Sequence, residues 1–247
     1  DAVEDRLKGA LTALEDRLSN GTHDVAALII EPMLQGAGGM RMCRPEFLKR
    51  LVEIAQSIGV LVIFDEVATG FGRTGTLFAM QQAGVVPDLV CLSKGLTSGY
   101  MPMAVTVARD KIFEAFLGDD FDRALPHGHS FTANPLACAV ALRSLMLFAE
   151  QDTLGRIARI GARHRAMLSE LCRREDVVRP RVLGSVLAFD LKGEAGYQSA
   201  QSQALKDWFL ARGLNIRPLG STVYLMPPYC ITDEELARVY AGLIEGL

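Results

Sequence analysis

Short, wholly apolar runs that alternate with helical periodicity constrain this chain more than any other feature of its sequence. Val25–Ile30 is an apolar run of strand length. Pro45–Ile58 follows with Phe47, Leu48, Leu51, Ile54 and Ala55 on one helical face, and Val60–Phe64 is the next apolar run. Strand, helix and strand in that order make a β-α-β unit, the repeating step of a mainly parallel sheet flanked by helices. Leu89–Leu92 and Met103–Ala108 continue the series, the latter leading into a helix at Lys111–Leu117, and all these strands read as fully buried.

The texture changes further on. A helical region runs from Asn134 to about Arg174, broken near Asp152–Gly155. Shorter strand candidates follow at Val186–Leu191, Leu214–Ile216 and Val223–Met226, with helices at Ala200–Ala211 and Asp233–Glu245. The fold class is therefore α/β, with a larger domain over residues 1–150 and a smaller C-terminal α+β domain over 151–247. No internal repeat or low-complexity segment interrupts it.

Composition excludes several functions. The 247 residues are 49% hydrophobic and 22% charged with a net charge of −3, and no basic stripe marks a nucleic-acid partner. The apolar runs stop far short of the roughly 20 residues that span a bilayer, so no membrane span is expected. Cys43, Cys91, Cys138, Cys172 and Cys230 are odd in number and scattered, the usage of a reduced, cytoplasmic protein. His127 and His129 lie close together without cysteine or acidic neighbours at metal-ligand spacing, so no metal site is expected. Asp1–Asn20 reads as an amphipathic helix with neither an initiator methionine nor a signal-peptide apolar segment, the start of a piece of something longer.

Chemistry enters at Phe64-Asp65-Glu66-Val67, where an apolar strand delivers two carboxylates at the C-terminal sheet edge, the place where open α/β sheets bind ligands. Strand alternation puts Asp65 and Val67 on one face and Glu66 on the other, so that a carboxylate and an apolar surface meet a planar ligand together. The plainer reading is that Asp65 caps the following loop. At Leu92-Ser93-Lys94-Gly95 a lysine follows another apolar strand, between small residues that let a bulky ligand approach. Desolvated there, its amine is a nucleophile for an aldehyde; alone, it is an ordinary surface lysine. Taken together, the two strand ends match the needs of a pyridoxal cofactor, a lysine for the aldehyde and an acid for the ring nitrogen.

Three motifs carry a resemblance: Phe64-Asp65-Glu66-Val67-Ala68-Thr69-Gly70-Phe71-Gly72-Arg73-Thr74-Gly75, Pro87-Asp88-Leu89-Val90-Cys91-Leu92-Ser93-Lys94-Gly95, and His127-Gly128-His129-Ser130-Phe131-Thr132-Ala133-Asn134-Pro135-Leu136-Ala137-Cys138-Ala139. In these the chain resembles the class III aminotransferases of the fold-type I pyridoxal-phosphate enzymes. The resemblance implies pyridoxal 5'-phosphate as cofactor, Lys94 as the Schiff-base lysine, Asp65 as the ring-nitrogen partner and Val67 beneath one ring face. It also implies a homodimer with a shared active site, in which His129 and Ser130 contact the cofactor phosphate across the interface and Gly128 lines the substrate. Ser130 stands where the family commonly has threonine and Ala133 where it has glycine, the second a mild backbone change. Ser130 and Asn134 are also suited to capping the following helix.

A second layer of resemblance lies in Glu31-Pro32-Met33-Leu34-Gln35-Gly36-Ala37-Gly38-Gly39-Met40-Arg41-Met42, in Gly213-Leu214-Asn215-Ile216-Arg217-Pro218-Leu219-Gly220 and in Tyr224-Leu225-Met226-Pro227-Pro228-Tyr229. These look like the branch that aminates 8-amino-7-oxononanoate to 7,8-diaminononanoate in biotin synthesis, usually with S-adenosylmethionine as amino donor. It makes Arg217 the residue that grips the substrate carboxylate, a task suited to a planar guanidinium. The bland reading of Arg217 is a surface ion pair, for instance with an acid of the last helix. Gln35–Gly39 reads as a tight active-site loop, and Arg73 as either a donor-substrate contact or a structural ion pair. The family's N-terminal phosphate loop and stacking aromatic have no counterpart here. Transamination of another ω-amino acid, of ornithine or aminobutyrate type, and a non-catalytic subunit are the alternatives.

Overall fold

The computed structural model describes residues 2–19, 25–193 and 200–247. In chain order the elements are α1 (Ala2–Ser19), β1 (Ala27–Ile30), β2 (Leu34–Gln35), β3 (Arg41–Met42), α2 (Pro45–Ser57), β4 (Leu61–Asp65), α3 (Met80–Ala83), β5 (Leu89–Leu92), β6 (Val105–Ala108), α4 (Asp110–Glu114), α5 (Pro135–Glu150), α6 (Thr153–Leu171), β7 (Val177–Leu183), β8 (Val186–Leu191), α7 (Ala200–Ala211), β9 (Thr222–Leu225) and α8 (Asp233–Glu245). Short 3-10 turns add Lys94–Thr97 and Phe121–Arg123. They gather into two units: Asp1–Met33, Cys43–Phe71 and Phe78–Glu150 form one, and Leu34–Met42, Gly72–Leu77 and Gln151–Leu247 the other.

In the first unit the sheet order is β1-β4-β5-β6, with β1, β4 and β5 parallel and β6 antiparallel at the edge. Pro45 opens α2, where a missing N–H leaves no bond unmade, and the helix turns Leu48, Leu51, Val52, Ile54 and Ala55 inward. Asp88, buried just before β5, accepts the Val62 N–H of β4 at 2.9 Å, while the Lys111 ammonium lies 2.7 Å from its other oxygen. That side chain ties two neighbouring strands at the end opposite the site. The expectation of fully buried strands holds for neither edge: Ile29 of β1 is 64% exposed and Val107 of β6 is 54% exposed. Each edge strand has a neighbour on one side only, so its side chains are covered incompletely.

In the second unit β8 lies between β7 and β9 in an antiparallel sheet. Leu187, Phe189, Phe209, Val223 and Leu243 are buried together in its core. Asp152 caps α6 through the Gly155 N–H, and Thr232 with Glu235 forms a capping box on α8. Leu214–Ile216, expected as a strand, joins no sheet among the described residues; Leu214 and Ile216 are buried in the core while Asn215 is exposed, and the Leu214 N–H donates to the Phe209 carbonyl at 3.0 Å. β7 is a strand that alternation does not announce, because a bulge between Val178 and Arg181 interrupts it. Gln35–Gly39 spans the turn of a small hairpin, with β2 and β3 antiparallel on either side. Among the described residues no helix is long and apolar enough to cross a membrane.

Candidate active site

The parallel register sets Asp65 beside Cys91, and the Glu66 N–H reaches the Cys91 carbonyl at 3.0 Å, so β4 and β5 end side by side. Asp65 and Lys94 thus leave the C-terminal edge of adjacent strands, where exposed backbone and diverging loops make room for a ligand. Asp65 is half-buried, and its Oδ1 accepts the Val67 N–H at 3.0 Å. The loop-capping reading is therefore correct for one oxygen. Oδ2 has no partner among the described residues. The strand stops at Asp65, so the alternation expected to carry Val67 onto the same face does not reach it; an Asx turn replaces it.

Glu66 turns away from that edge and is fully buried. It accepts the N–H groups of Ala79 at 2.7 Å and Met80 at 2.9 Å and so caps α3, whose own N-cap residue, Ala79, has no side chain to do it. Burial pushes its carboxyl above the usual carboxylate range, and the two backbone donors only partly offset this.

Lys94 opens the 3-10 turn with φ of 40°, a left-handed conformation that non-glycine residues seldom adopt. The turn is fixed from several sides. Ser93 Oγ donates to the Met103 carbonyl at 2.7 Å, Ser144 of α5 donates to the Gly95 carbonyl at 3.3 Å, and Ser144 also meets Ser98 at 2.7 Å. Phe71 packs against Gly95 so closely that a Cβ there would sit 2.7 Å from the Phe71 Cβ. Sequence reading missed Ser144; its only signal is a small polar residue within the apolar run of α5. Lys94 itself is exposed, which corrects the expectation of a desolvated lysine: Leu96 and Thr97 bury the end of the turn, while its first residue stays in contact with solvent. Its ammonium has no ion pair or hydrogen bond among the described residues.

Gly128, His129 and Ser130 lie in an exposed loop. His129 accepts the Phe131 N–H on Nδ1 at 3.1 Å, and the His129 N–H donates to Thr132 Oγ1 at 3.0 Å. Asn134 caps α5 by accepting from Leu136 and Ala137, whereas the Ser130 hydroxyl takes no part in the cap. Ala133 stands at φ of 55°, so its place in the loop is more strained than a mild change from glycine would be.

In the second unit Arg217 is exposed between buried Ile216 and Pro218. It makes no ion pair among the described residues; of the acids in the last helix, Asp233 pairs with Arg159 and Arg163, and Glu245 meets Arg212 at 3.5 Å. Arg73 makes no ion pair among the described residues either. Its Nη1 donates to Ser185 Oγ at 3.1 Å and to the Pro227 carbonyl at 3.0 Å, and its guanidinium lies 4.6 Å from the Tyr229 ring centroid. Burial disfavours its charged form, and Tyr229 partly restores it. The hairpin loop is held by Arg181, another residue the sequence does not single out, which donates to the Gly39 and Met40 carbonyls while paired with Asp190 at 2.8 Å. Among the described residues no group of three or more histidine, cysteine or acidic side chains is placed to hold a metal.

Comparison with known proteins follows the same outline. The profile of the family described as aminotransferase class-III matches residues 1–247. The adenosylmethionine-8-amino-7-oxononanoate aminotransferase of Synechococcus elongatus is 46% identical over 248 aligned residues, covering 100% of this chain and 58% of that protein. Among solved structures, an amine transaminase from an uncultivated Pseudomonas species in its PLP-bound form superposes with a TM-score of 0.90 at 32% identity, covering 97% of this chain and 56% of that one. The adenosylmethionine-8-amino-7-oxononanoate aminotransferase of Methanocaldococcus jannaschii gives 0.88 at 30% identity, covering 97% and 56%. The chain spans little more than half the length of these relatives.

Proposed function

The chain belongs to the class-III aminotransferases, and from that premise we propose that it carries the catalytic lysine of a pyridoxal-phosphate enzyme that transfers an amino group to 8-amino-7-oxononanoate, giving 7,8-diaminononanoate for biotin synthesis. The observation that supports it most is the pair of adjacent parallel strand ends, with one Asp65 oxygen and the Lys94 amine both unengaged among the described residues. The residues suit the cofactor: an acid with a free oxygen, an unpaired primary amine, and a turn that the close packing of Gly95 on Phe71 holds in place.

Pyridoxal phosphate, when bound, supplies an aldehyde that condenses with amines and a ring that draws electrons from a Cα–H bond. Lys94 Nζ would be the amine that holds the aldehyde and, when free, the base that takes the proton from the substrate Cα. Asp65 would hold the ring nitrogen in its protonated form. Val67 is assigned to one ring face. His129 and Ser130 are assigned to the phosphate, Gly128 to the substrate, and Arg217 to the substrate carboxylate, which its planar fork fits in a bidentate manner. Arg73, which has no acid partner among the described residues, is assigned to an anionic group of the amino donor, S-adenosylmethionine.

A cytoplasmic homodimer is part of the proposal. Exposed apolar side chains crowd one stretch of the first unit, among them Phe121 at 76%, Phe131 at 74% and Leu136 at 70%, around the loop that holds Ser130. Full-length protein assayed with 8-amino-7-oxononanoate and S-adenosylmethionine tests the substrate; formation of diaminononanoate is expected, and turnover only with ornithine or aminobutyrate would move the chain to another branch of the family. Visible absorption with added pyridoxal phosphate tests the lysine: the long-wavelength band should vanish in Lys94→Ala, and an unchanged band refutes the assignment.

A further inference from the structure

Beneath Arg73 lies a column of polar contacts that the assigned chemistry does not use. Ser185 grips residue 73 at both ends: its N–H donates to the Arg73 carbonyl at 3.1 Å, its Oγ donates to the same carbonyl at 3.2 Å, and that Oγ accepts from Arg73 Nη1 at 3.1 Å. Ser185 is in turn held by His164 of α6, whose Nε2 lies 3.2 Å from the Ser185 carbonyl, with Tyr240 of α8 at 2.7 Å from Nδ1. A carbonyl only accepts, so Nε2 carries the hydrogen and Nδ1 accepts the Tyr240 hydroxyl. His164 and Ser185 are both fully buried. The backbone closes the same gap: a Cβ on Gly184 would lie 2.3 Å from the Thr74 carbonyl carbon and 2.4 Å from the Gly75 nitrogen.

We infer that His164, acting through Ser185, is a positioning residue that sets where the Arg73 guanidinium stands, and so tunes binding of an anionic substrate without touching it. Two neutral hydrogen-bonding residues do what an acid would do by charge. An acid beside Arg73 would neutralise it, whereas Ser185 and the Pro227 carbonyl orient Nη1 and leave the net positive charge available. A buried imidazole with both nitrogens engaged has one tautomer and one ring orientation, which makes it a rigid backing for the β7–β8 turn.

The inference rests on the reading of Arg73 as a substrate-facing cation, and the experiment separates the two. In the full-length enzyme, steady-state kinetics are measured for His164→Leu, His164→Gln, Ser185→Ala and Arg73→Gln, and for His164→Leu and Ser185→Ala each combined with Arg73→Gln. His164→Leu and Ser185→Ala should raise the KM for S-adenosylmethionine about tenfold, the scale of one lost hydrogen bond, with kcat within about twofold. His164→Gln, which keeps a donor near the Nε2 position, should recover most of that loss. In the Arg73→Gln background neither change should raise KM further. An additive effect, an unchanged KM in His164→Leu and Ser185→Ala, or a glutamine variant no better than leucine overturns the positioning role while leaving Arg73 in place. If Arg73→Gln itself leaves KM unchanged, the assignment of Arg73 fails and takes this inference with it. Should His164→Leu not fold, Ser185→Ala with and without Arg73→Gln decides the question.

Discussion

Asp65 commits one carboxylate oxygen to the Val67 N–H at 3.0 Å and keeps the other free of described partners. The turn and the proposed chemistry are therefore separable by a single atom. In Asp65→Asn the amide oxygen still accepts from Val67, so unfolding free energy should stay within about 0.5 kcal/mol of the parent. The negative charge is gone, and turnover should fall by a factor on the order of 10²–10⁴. Thermal melts beside turnover numbers check this; full activity in a well-folded Asn variant would remove Asp65 from the ring nitrogen.

Gly95 and Phe71 fix the distance between the two strand-end loops. A methyl group on residue 95 would meet Phe71 Cβ at 2.7 Å and Cδ2 at 3.0 Å, atoms near the backbone of a residue whose own φ is 54°. Phe71 is 3% exposed, so its ring has little room to retreat. Gly95→Ala should destabilise the fold by about 1–3 kcal/mol through overpacking. Phe71→Leu keeps the Cβ that makes the closest contact and should recover little of that loss, as denaturant titration of the single and double variants would reveal.

Ala133 offers the opposite case. It is exposed at φ of 55°, where a Cβ costs about 1–2 kcal/mol, and no packing depends on its methyl group. Against this, glycine loses about 0.4–1 kcal/mol more conformational entropy on folding. Ala133→Gly should therefore stabilise by roughly 0.5–1 kcal/mol. A lower melting temperature would show that the left-handed conformation is not the one the folded loop adopts.

Much of the framework is legible because its signals are local. The apolar run Leu89–Leu92 is bounded as read, and so are the helices Ala200–Ala211 and Asp233–Glu245, the latter opened by the Thr232 capping box. Asp65 and Lys94 stand out for the same reason, polar groups placed where an apolar strand stops. What escapes the sequence depends on partners far along the chain. Val177–Leu183 becomes a strand because β8 pairs with it around a bulge at the left-handed Arg179, and nothing in Val-Arg-Pro-Arg announces that. Leu214–Ile216 has the strand pattern but joins no sheet among the described residues. His164 looks like one more polar residue of an arginine-rich helix, and its burial is set by Tyr240 and Ser185, each more than 20 positions away. Lys94 is legible as a residue but not in its exposure, since its left-handed turn is held by Ser93, Ser98 and Ser144 through contacts that the local sequence does not announce.

The same histidine gives stability a pH dependence of known sign. Burial lowers its pKa from 6.5 to about 4, the Ser185 carbonyl opposing and Arg165 reinforcing the shift. The Tyr240 hydroxyl, pushed up by its own burial, stays protonated as the donor to Nδ1. For a base whose folded pKa is depressed, the unfolded chain takes up the proton first, so stability is full above pH 6.5 and is lost as pH falls towards 4. The whole loss is about 3 kcal/mol, and about 2 kcal/mol of it falls between pH 7 and pH 5. His164→Gln cannot titrate and should lack this component. Urea unfolding of both proteins at the two pH values should therefore show the parent losing about 2 kcal/mol more than the variant. Parallel losses would mean that His164 charges as readily in the folded protein as in the unfolded chain, and would overturn the lowering of its pKa by burial.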